Sequence, residues 1–248
     1  MKKTSAALLF LVCLVFSQCK KTDVQNGSGN LNSRSVGASA NEILSAAKYT
    51  SIVMQIQYMP GYAPDAASVN NLVAFLNNYA NKPGGITYTL TPIAASGKAS
   101  LALTDITATE TANRTLFTSG NTLAIYVLYT DAPYSTNNTL GVAYRNTSLV
   151  LFGPTITNNS GGVNQTSRTK LESTTQQHEF GHLMGLVNLG SPMVTPHNDA
   201  SNAGHCTSNT CLMYYVTNTG TMGGILLNGP VPSLDANCRA DLRANGGK

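Results

Sequence analysis

The stretch HEFGHLMGLVN, His178–Asn188, decides how the chain is read. Two histidines four apart on a helix project their imidazoles from one face, about one turn apart and within reach of a single ion. Glu179 lies beside the first of them and points at a water on that ion. Zinc lowers the pKa of bound water to about 7, and a neighbouring carboxylate can take its proton, which is the chemistry of peptide hydrolysis. All four histidines of the chain, His178, His182, His197 and His205, fall between positions 178 and 205. Such clustering of a rare residue argues against a chance motif. Gly185, three residues after His182, lets the helix end and the chain turn back toward the same ion.

HExxHxxG followed by a ligand and a later Met turn is the pattern of the metzincin metallopeptidases, and this stretch resembles it except at Asn188, where the ligand is expected. A neutral amide oxygen is a weak zinc ligand beside imidazole or carboxylate. Further on stands HCTSNTCLM, His205 to Met213. Its order, His-Cys-x4-Cys-x-Met, resembles the archaemetzincin branch, where the third His follows the Gly by three residues and is succeeded at once by Cys. In this chain His205 comes later, as though VNLGSPMVTPHNDASNAG had been inserted. Loop-closure entropy grows slowly with length, so such an excursion costs little. The resemblance implies His205 as the third ligand, with His197 and Asp199 as alternatives, and Met213 as the apolar floor beneath the metal. It also implies a catalytic role for Tyr215, whose phenol would donate a hydrogen bond to the transition-state oxyanion. A packed aromatic is the alternative for Tyr215.

The same resemblance implies a second, structural zinc on Cys206, Cys211 and a later CxxC pair. Here the later element is Cys238-Arg-Ala-Asp241, so Asp241 occupies the last thiolate position, and carboxylate also binds zinc. An oxidising compartment favours a disulfide instead, Cys206 to Cys211 or Cys211 to Cys238. The implied cofactor is Zn2+, one ion catalytic and a second one structural if the thiols do not pair.

The first residues, MKKTSAALLFLVCLVFSQCKK, have a basic start, an apolar run and a small polar exit, the layout of an export signal over 1–18. The run is short for a transmembrane helix. It ends at Cys19 in a context similar to the lipobox of bacterial lipoproteins, which predicts lipidation there and attachment to a bacterial membrane on its periplasmic or cell-surface side. Residues 19–40 contain little to bury and read as a flexible tether. The domain proper is expected over 41–248, with a sheet-and-helix part at 41–186 and an irregular part at 187–248. Only 10% of the residues are charged. Of the formal net charge of +4, two units are Lys2 and Lys3 of the leader, too small a balance to imply nucleic acid.

TSIVMQIQYM, ITYTLTPI, TLAIYVLYT and GVAYRNTSLVLFG read as four strands, and PDAASVNNLVAFLNNYANKPGG as a helix with Val69, Leu72, Val73, Phe75 and Leu76 on its apolar side. SRTKLESTTQQHEFGHLMGLV reads as the motif-bearing helix, and PSLDANCRADLRANGG as a short last helix. The expected class is α+β of zincin or metzincin type: a mixed twisted sheet, an active-site helix, and a smaller irregular C-terminal subdomain ending in a helix. In the family the resemblance names, the edge strand before the active helix aligns the substrate backbone. GVAYRNTSLVLFG is the candidate for such strand addition. The chain thus reads as an exported, lipid-anchored zinc peptidase acting on peptides or proteins, endopeptidase or aminopeptidase. The alternative is a non-catalytic binding or adhesion lipoprotein on the same scaffold.

Overall fold

A computed structural model describes residues 31–136, 138–215 and 229–248. The export signal and Cys19 lie outside the described residues. Among the described residues no helix is long and apolar enough to cross a membrane.

At the centre is β3 (Thr122–Thr130), TLAIYVLYT, buried from Leu123 to its end. A strand covered on both faces needs such a continuous apolar run. On one face Leu123, Ile125, Val127 and Tyr129 join the larger core, and on the other Tyr126 and Leu128 join a smaller one. Around β3 the sheet runs β2 (Ile86–Pro92), β1 (Ser51–Tyr58), β3, β5 (Ser148–Phe152), β4 (Gly141–Arg145). The first four are parallel, and β4 runs antiparallel to β5 at one edge. The fold is therefore a mixed α/β sheet with helices.

The larger core is closed by α2 (Ala66–Tyr79) and α5 (Arg168–Leu183), through Val69, Leu72 and Leu76 of the former and Leu171, Phe180 and Leu183 of the latter. A short helix, α1 (Ala40–Leu44), precedes β1, and α4 (Gly153–Asn158) follows β5 directly. The smaller core lies under α3 (Leu103–Asn113), which inserts Ile106. The last helix is α6 (Ala236–Ala244), N-capped by Asp235.

Three expectations need correction. The tether does not reach residue 40: Asn32, Ser39 and Ala40 are buried, and Asn146 donates through Nδ2 to the Leu31 carbonyl at 2.7 Å and to Ser39 Oγ at 2.7 Å. Low apolar content hid this, because the segment is held by hydrogen bonds and by close backbone approach at Gly37, where an added Cβ would lie 1.9 Å from the Leu189 carbonyl oxygen. GVAYRNTSLVLFG is a hairpin of β4 and β5, turning at Asn146-Thr147, rather than one strand. The helix α3, LTDITATETAN, was not legible, since only Ile106 and Glu110 are buried on it. Its anchor is polar: Glu110 takes hydrogen bonds from Arg114 Nη1 (2.7 Å), Arg145 Nη1 (2.9 Å) and Ser148 Oγ (2.7 Å), which ties the smaller layer to the β4–β5 hairpin.

Candidate metal centre

The helix α5 crosses the interior with a polar sequence. From Leu171 to Leu183 every residue is buried, including Glu172-Ser-Thr-Thr-Gln-Gln-His-Glu179. Buried polar groups need partners, and here most find them locally. Glu172 accepts from the Asp65 amide at 2.8 Å and from Ser68 Oγ, while Thr174 and Thr175 hydroxyls return to the carbonyls of Lys170 and Leu171. Gln176 Nε2 donates to Ser68 Oγ at 2.9 Å. The helix is thus fixed on α2 before its last turns deliver His178, Glu179 and His182.

It ends in a Schellman turn. Gly185 has φ +73°, its amide donates to the His182 carbonyl at 3.0 Å, and the Leu186 amide reaches back to Gly181 at 3.1 Å. Val187 and Asn188 follow at φ +54° and +66°. Asn188 is exposed. Asparagine is among the few side chains that accept the left-handed conformation readily. Asn188 therefore serves the turn, exposed at the end of the helix.

The chain returns through residues 187–204 to place His205 against the helix. Nitrogens of His178, His182 and His205 lie within 4.8 Å of one another. His178 Nε2 and His182 Nε2 are 3.1 Å apart, close to the roughly 3.3 Å that a tetrahedral ion with Zn–N of about 2.05 Å requires. His178 Nδ1 sits 2.8 Å from the Leu212 carbonyl, and His205 Nδ1 sits 3.1 Å from that of Ala203. A carbonyl only accepts, so both rings carry the proton on Nδ1 and present Nε2 as a lone pair. His205 Nε2 is buried with no hydrogen-bond partner. Burial pushes His178 down to about 3 and holds His182 and His205 below the ordinary imidazole value. All three are neutral near pH 7, the form that binds metal. The donor set fits a zinc ion.

Glu179 is buried beside this cluster, and Oε2 accepts the Ala143 amide of β4 at 2.7 Å. Burial raises its carboxyl to about 8, with the Ala143 N–H opposing the shift. Gly141 allows the approach of strand to helix, since a Cβ there would meet Thr175 Cγ2 at 2.8 Å and Glu179 Cγ at 3.0 Å. Met213 is fully buried against Gly181, the glycine between the two ligand-spaced histidines; a Cβ on Gly181 would lie 2.2 Å from Met213 Sδ. Gly181 was visible in HEFGH, but only the packing reveals what it makes room for. Tyr215 is 37% exposed with its ring 4.8 Å from that of Tyr214.

The two alternatives to His205 stand elsewhere. Asp199 accepts the amides of Ser201 and Asn202 in an exposed turn. His197 is buried among the cysteines: Nδ1 lies 3.4 Å from Cys206 Sγ and 4.0 Å from Cys238 Sγ, and Nε2 lies 2.8 Å from Asp241 Oδ2. Cys206, Cys211 and Cys238 are free thiols; Cys211 and Cys238 Sγ are 3.6 Å apart, against about 2.05 Å in a disulfide. Burial pushes Cys206 up to about 12, whereas Cys211 is held down to about 7 by the hydrogen bond from Cys238. His197, Cys206, Cys238 and Asp235 place donors within 4.8 Å of one another. The expectation that Asp241 stands in for a thiolate is corrected, because its two oxygens are taken by His197 and by the Val194 amide at 2.7 Å. The two clusters are joined through the backbone. Residues 198 and 206 form an antiparallel bridge, and the adjacent His205 and Cys206 belong to different clusters.

No family model matches the chain, and no curated protein matches it in sequence. Among solved structures, the archaemetzincin of Methanopyrus kandleri superposes with a TM-score of 0.53 at 14% identity, over 79% of this chain and 96% of that one. At such low identity the likeness speaks for architecture alone, and it establishes that this chain is built on the archaemetzincin fold.

Proposed function

We propose that the protein is a zinc-dependent peptidase, with His178, His182 and His205 as metal ligands and Glu179 as general base. One observation carries this reading: the helix that brings His178 and His182 together with His205 also carries Glu179, a buried carboxyl group that accepts the Ala143 amide of an edge strand. A binding module has no need of that carboxylate. Zinc, when bound, supplies Lewis acidity and lowers the pKa of a bound water. Glu179 would serve as the general base and then as the acid toward the leaving amine, a role in which a positioned carboxylate typically contributes ~100- to 10,000-fold. The hydrogen bond from Ala143 holds Glu179 against β4, the edge strand of the sheet, along which an extended peptide would pair beside the amide that Glu179 already takes. Met213 packs beneath the ligand turn, and Tyr215 is assigned as the donor to the oxyanion.

The proposal includes export and lipid attachment at Cys19, which would put the site outside the cytoplasm on a membrane surface and make peptides or proteins its substrates. Supporting it are the basic, apolar and polar segments of residues 1–18 and the low charge of the remainder. The test is cleavage of a broad peptide library by the full-length chain beside its Glu179→Gln form, read by mass spectrometry. The expected result is cuts by the parent that fall by ~100-fold or more in Glu179→Gln, with zinc content unchanged. A folded, zinc-loaded parent that cuts nothing would overturn the peptidase and favour the non-catalytic binding lipoprotein.

A further inference from the structure

We infer that His197 is the fourth donor of a structural metal centre with Cys206, Cys211 and Cys238, and that Asp241 is a positioning residue for His197 rather than a donor. This rests on the reading that the three thiols hold a divalent cation instead of pairing.

The tautomer of His197 follows from its neighbours. Asp241 is fully buried, with one oxygen on the Val194 amide and the other 2.8 Å from His197 Nε2. A carboxylate only accepts, so Nε2 carries a proton, and in the neutral ring Nδ1 presents its lone pair to the sulfurs. A histidine whose far nitrogen donates to a carboxylate is the usual arrangement of an imidazole ligand, because the carboxylate fixes the ring and raises its basicity. Three distances match a tetrahedral ion; the four donors that all lie within 4.8 Å of one another are His197, Cys206, Cys238 and Asp235, with Cys211 next to Cys238. With Zn–S of about 2.3 Å and Zn–N of about 2.05 Å, sulfurs stand ~3.8 Å apart and sulfur to nitrogen ~3.6 Å. The structure has 3.6 Å between Cys211 and Cys238 Sγ, and 3.4 and 4.0 Å from His197 Nδ1 to Cys206 and Cys238 Sγ.

Backbone amides also reach two of the sulfurs. Ser208 donates to Cys206 Sγ at 3.5 Å, and Met213 and Asp235 each donate to Cys211 Sγ at 3.4 Å. Hydrogen bonds to the charged form favour that form, and metal ligation requires it. Asp235 is the rival donor. Its Oδ1 is committed to the Cys238 amide as the N-cap of α6, while Oδ2 accepts from Cys206 at 3.2 Å. Imidazole with a buried carboxylate behind it is the better partner for a thiolate-rich ion, and His197 has no other use for Nδ1.

The consequence is mechanical. His197 lies in the middle of the long excursion between Gly185 and His205. The Thr207 amide binds the His197 carbonyl at 3.0 Å, and the Asp199 amide binds that of His205 at 2.8 Å. A metal on His197 and Cys206 therefore clamps both arms of the hairpin whose next residue is His205. The excursion that displaces the third histidine in sequence supplies the side chain that fixes it in space.

The test is metal counting and cobalt substitution in the full-length chain. The parent should hold two divalent ions, with thiolate-to-cobalt charge-transfer bands. His197→Ala should lose one ion and those bands. Asp241→Asn should keep the count at saturating metal but weaken the second ion ~10- to 100-fold. His197→Cys should restore the count with a four-thiolate cobalt spectrum, and it decides the matter if His197→Ala does not fold. Two ions and an unchanged spectrum in His197→Ala, or a three-thiolate spectrum in His197→Cys, would overturn the assignment while leaving the second centre standing; loss of that ion in Asp235→Ser would then name Asp235 as the donor. A parent with one ion and no charge-transfer bands would instead overturn the second centre itself.

Discussion

Gly181→Ala sets two physical effects against each other at the point where the helix meets Met213. Gly181 is interior to α5, where alanine is favoured over glycine by about 1 kcal/mol of helix propensity. Propensity alone therefore predicts a stabilised protein. The packing predicts the reverse, since the new Cβ would lie 2.2 Å from Met213 Sδ and 3.0 Å from Met213 Cε. Heavy atoms in contact stand ~3.5 to 4.0 Å apart, so Met213 must move by well over an ångström. It is fully buried, and the sulfur in question is in the middle of the side chain rather than at a free end. Overpacking of a closed core costs ~1 to 3 kcal/mol, and this overlap belongs at the upper end. Set against the propensity gain, the net expectation is a loss of ~2 kcal/mol, or a Tm lower by ~4 to 8 °C for a domain of this size. The assay is unfolding in chelator, so that metal affinity does not mask the difference. Repeating it in a Met213→Ala background should abolish or invert the penalty, leaving a coupling of ~2 kcal/mol or more between the two sites. A Gly181→Ala protein as stable as its parent, or more so, would refute the placement of Met213 against the helix.

Further outcomes follow from individual side chains. Asn188→Ala should leave zinc content intact and cost about 1 kcal/mol for a Cβ held in the left-handed region without the amide, whereas Asn188→Gly should be near neutral; loss of metal in either would restore Asn188 as a ligand. His205→Ala should remove the catalytic ion, and retention of that ion at full affinity would refute the assignment of the third ligand. Burial holds the phenols of Tyr126, Tyr129 and Tyr144 above their ordinary value of 10. Above that pH the unfolded chain has released protons that the folded chain keeps, so stability is full below pH 10 and falls as pH rises, by up to ~1.4 kcal/mol per pH unit for each phenol. With 11 tyrosines and no tryptophan in the chain, tyrosinate absorbance should show three groups that ionise only together with loss of the folded circular dichroism. Smooth ionisation of every tyrosine in a folded protein would contradict their burial.

Much of the framework was legible because the signals are local and periodic. The apolar run of β3, the helical spacing of Val69, Leu72 and Leu76, and the two histidines four apart each follow from the geometry of one element. Polar segments misled for the opposite reason. Ser173-Thr-Thr-Gln-Gln177 carries no apolar stripe yet is buried, because Ser68, Asn71 and the helix's own carbonyls take up most of its polar groups. The ordering of residues 31–40 and the helix α3 escape the hydropathy pattern on the same ground, since Asn32, Asn146 and Glu110 hold those segments by hydrogen bonds that no such pattern records.

From the chain alone one can read the class of fold, the helix that bears His178, Glu179 and His182, and the chemistry those three side chains suit, for these depend on residues within a single helical turn. Which residue completes each cluster depended on the tertiary structure. Asn188, His197, Asp199, His205 and Asp241 were all eligible by chemistry. They are set apart by how the excursion after Gly185 folds back, which brings His205 to His178 and His182 and places His197 among cysteines and against Asp241.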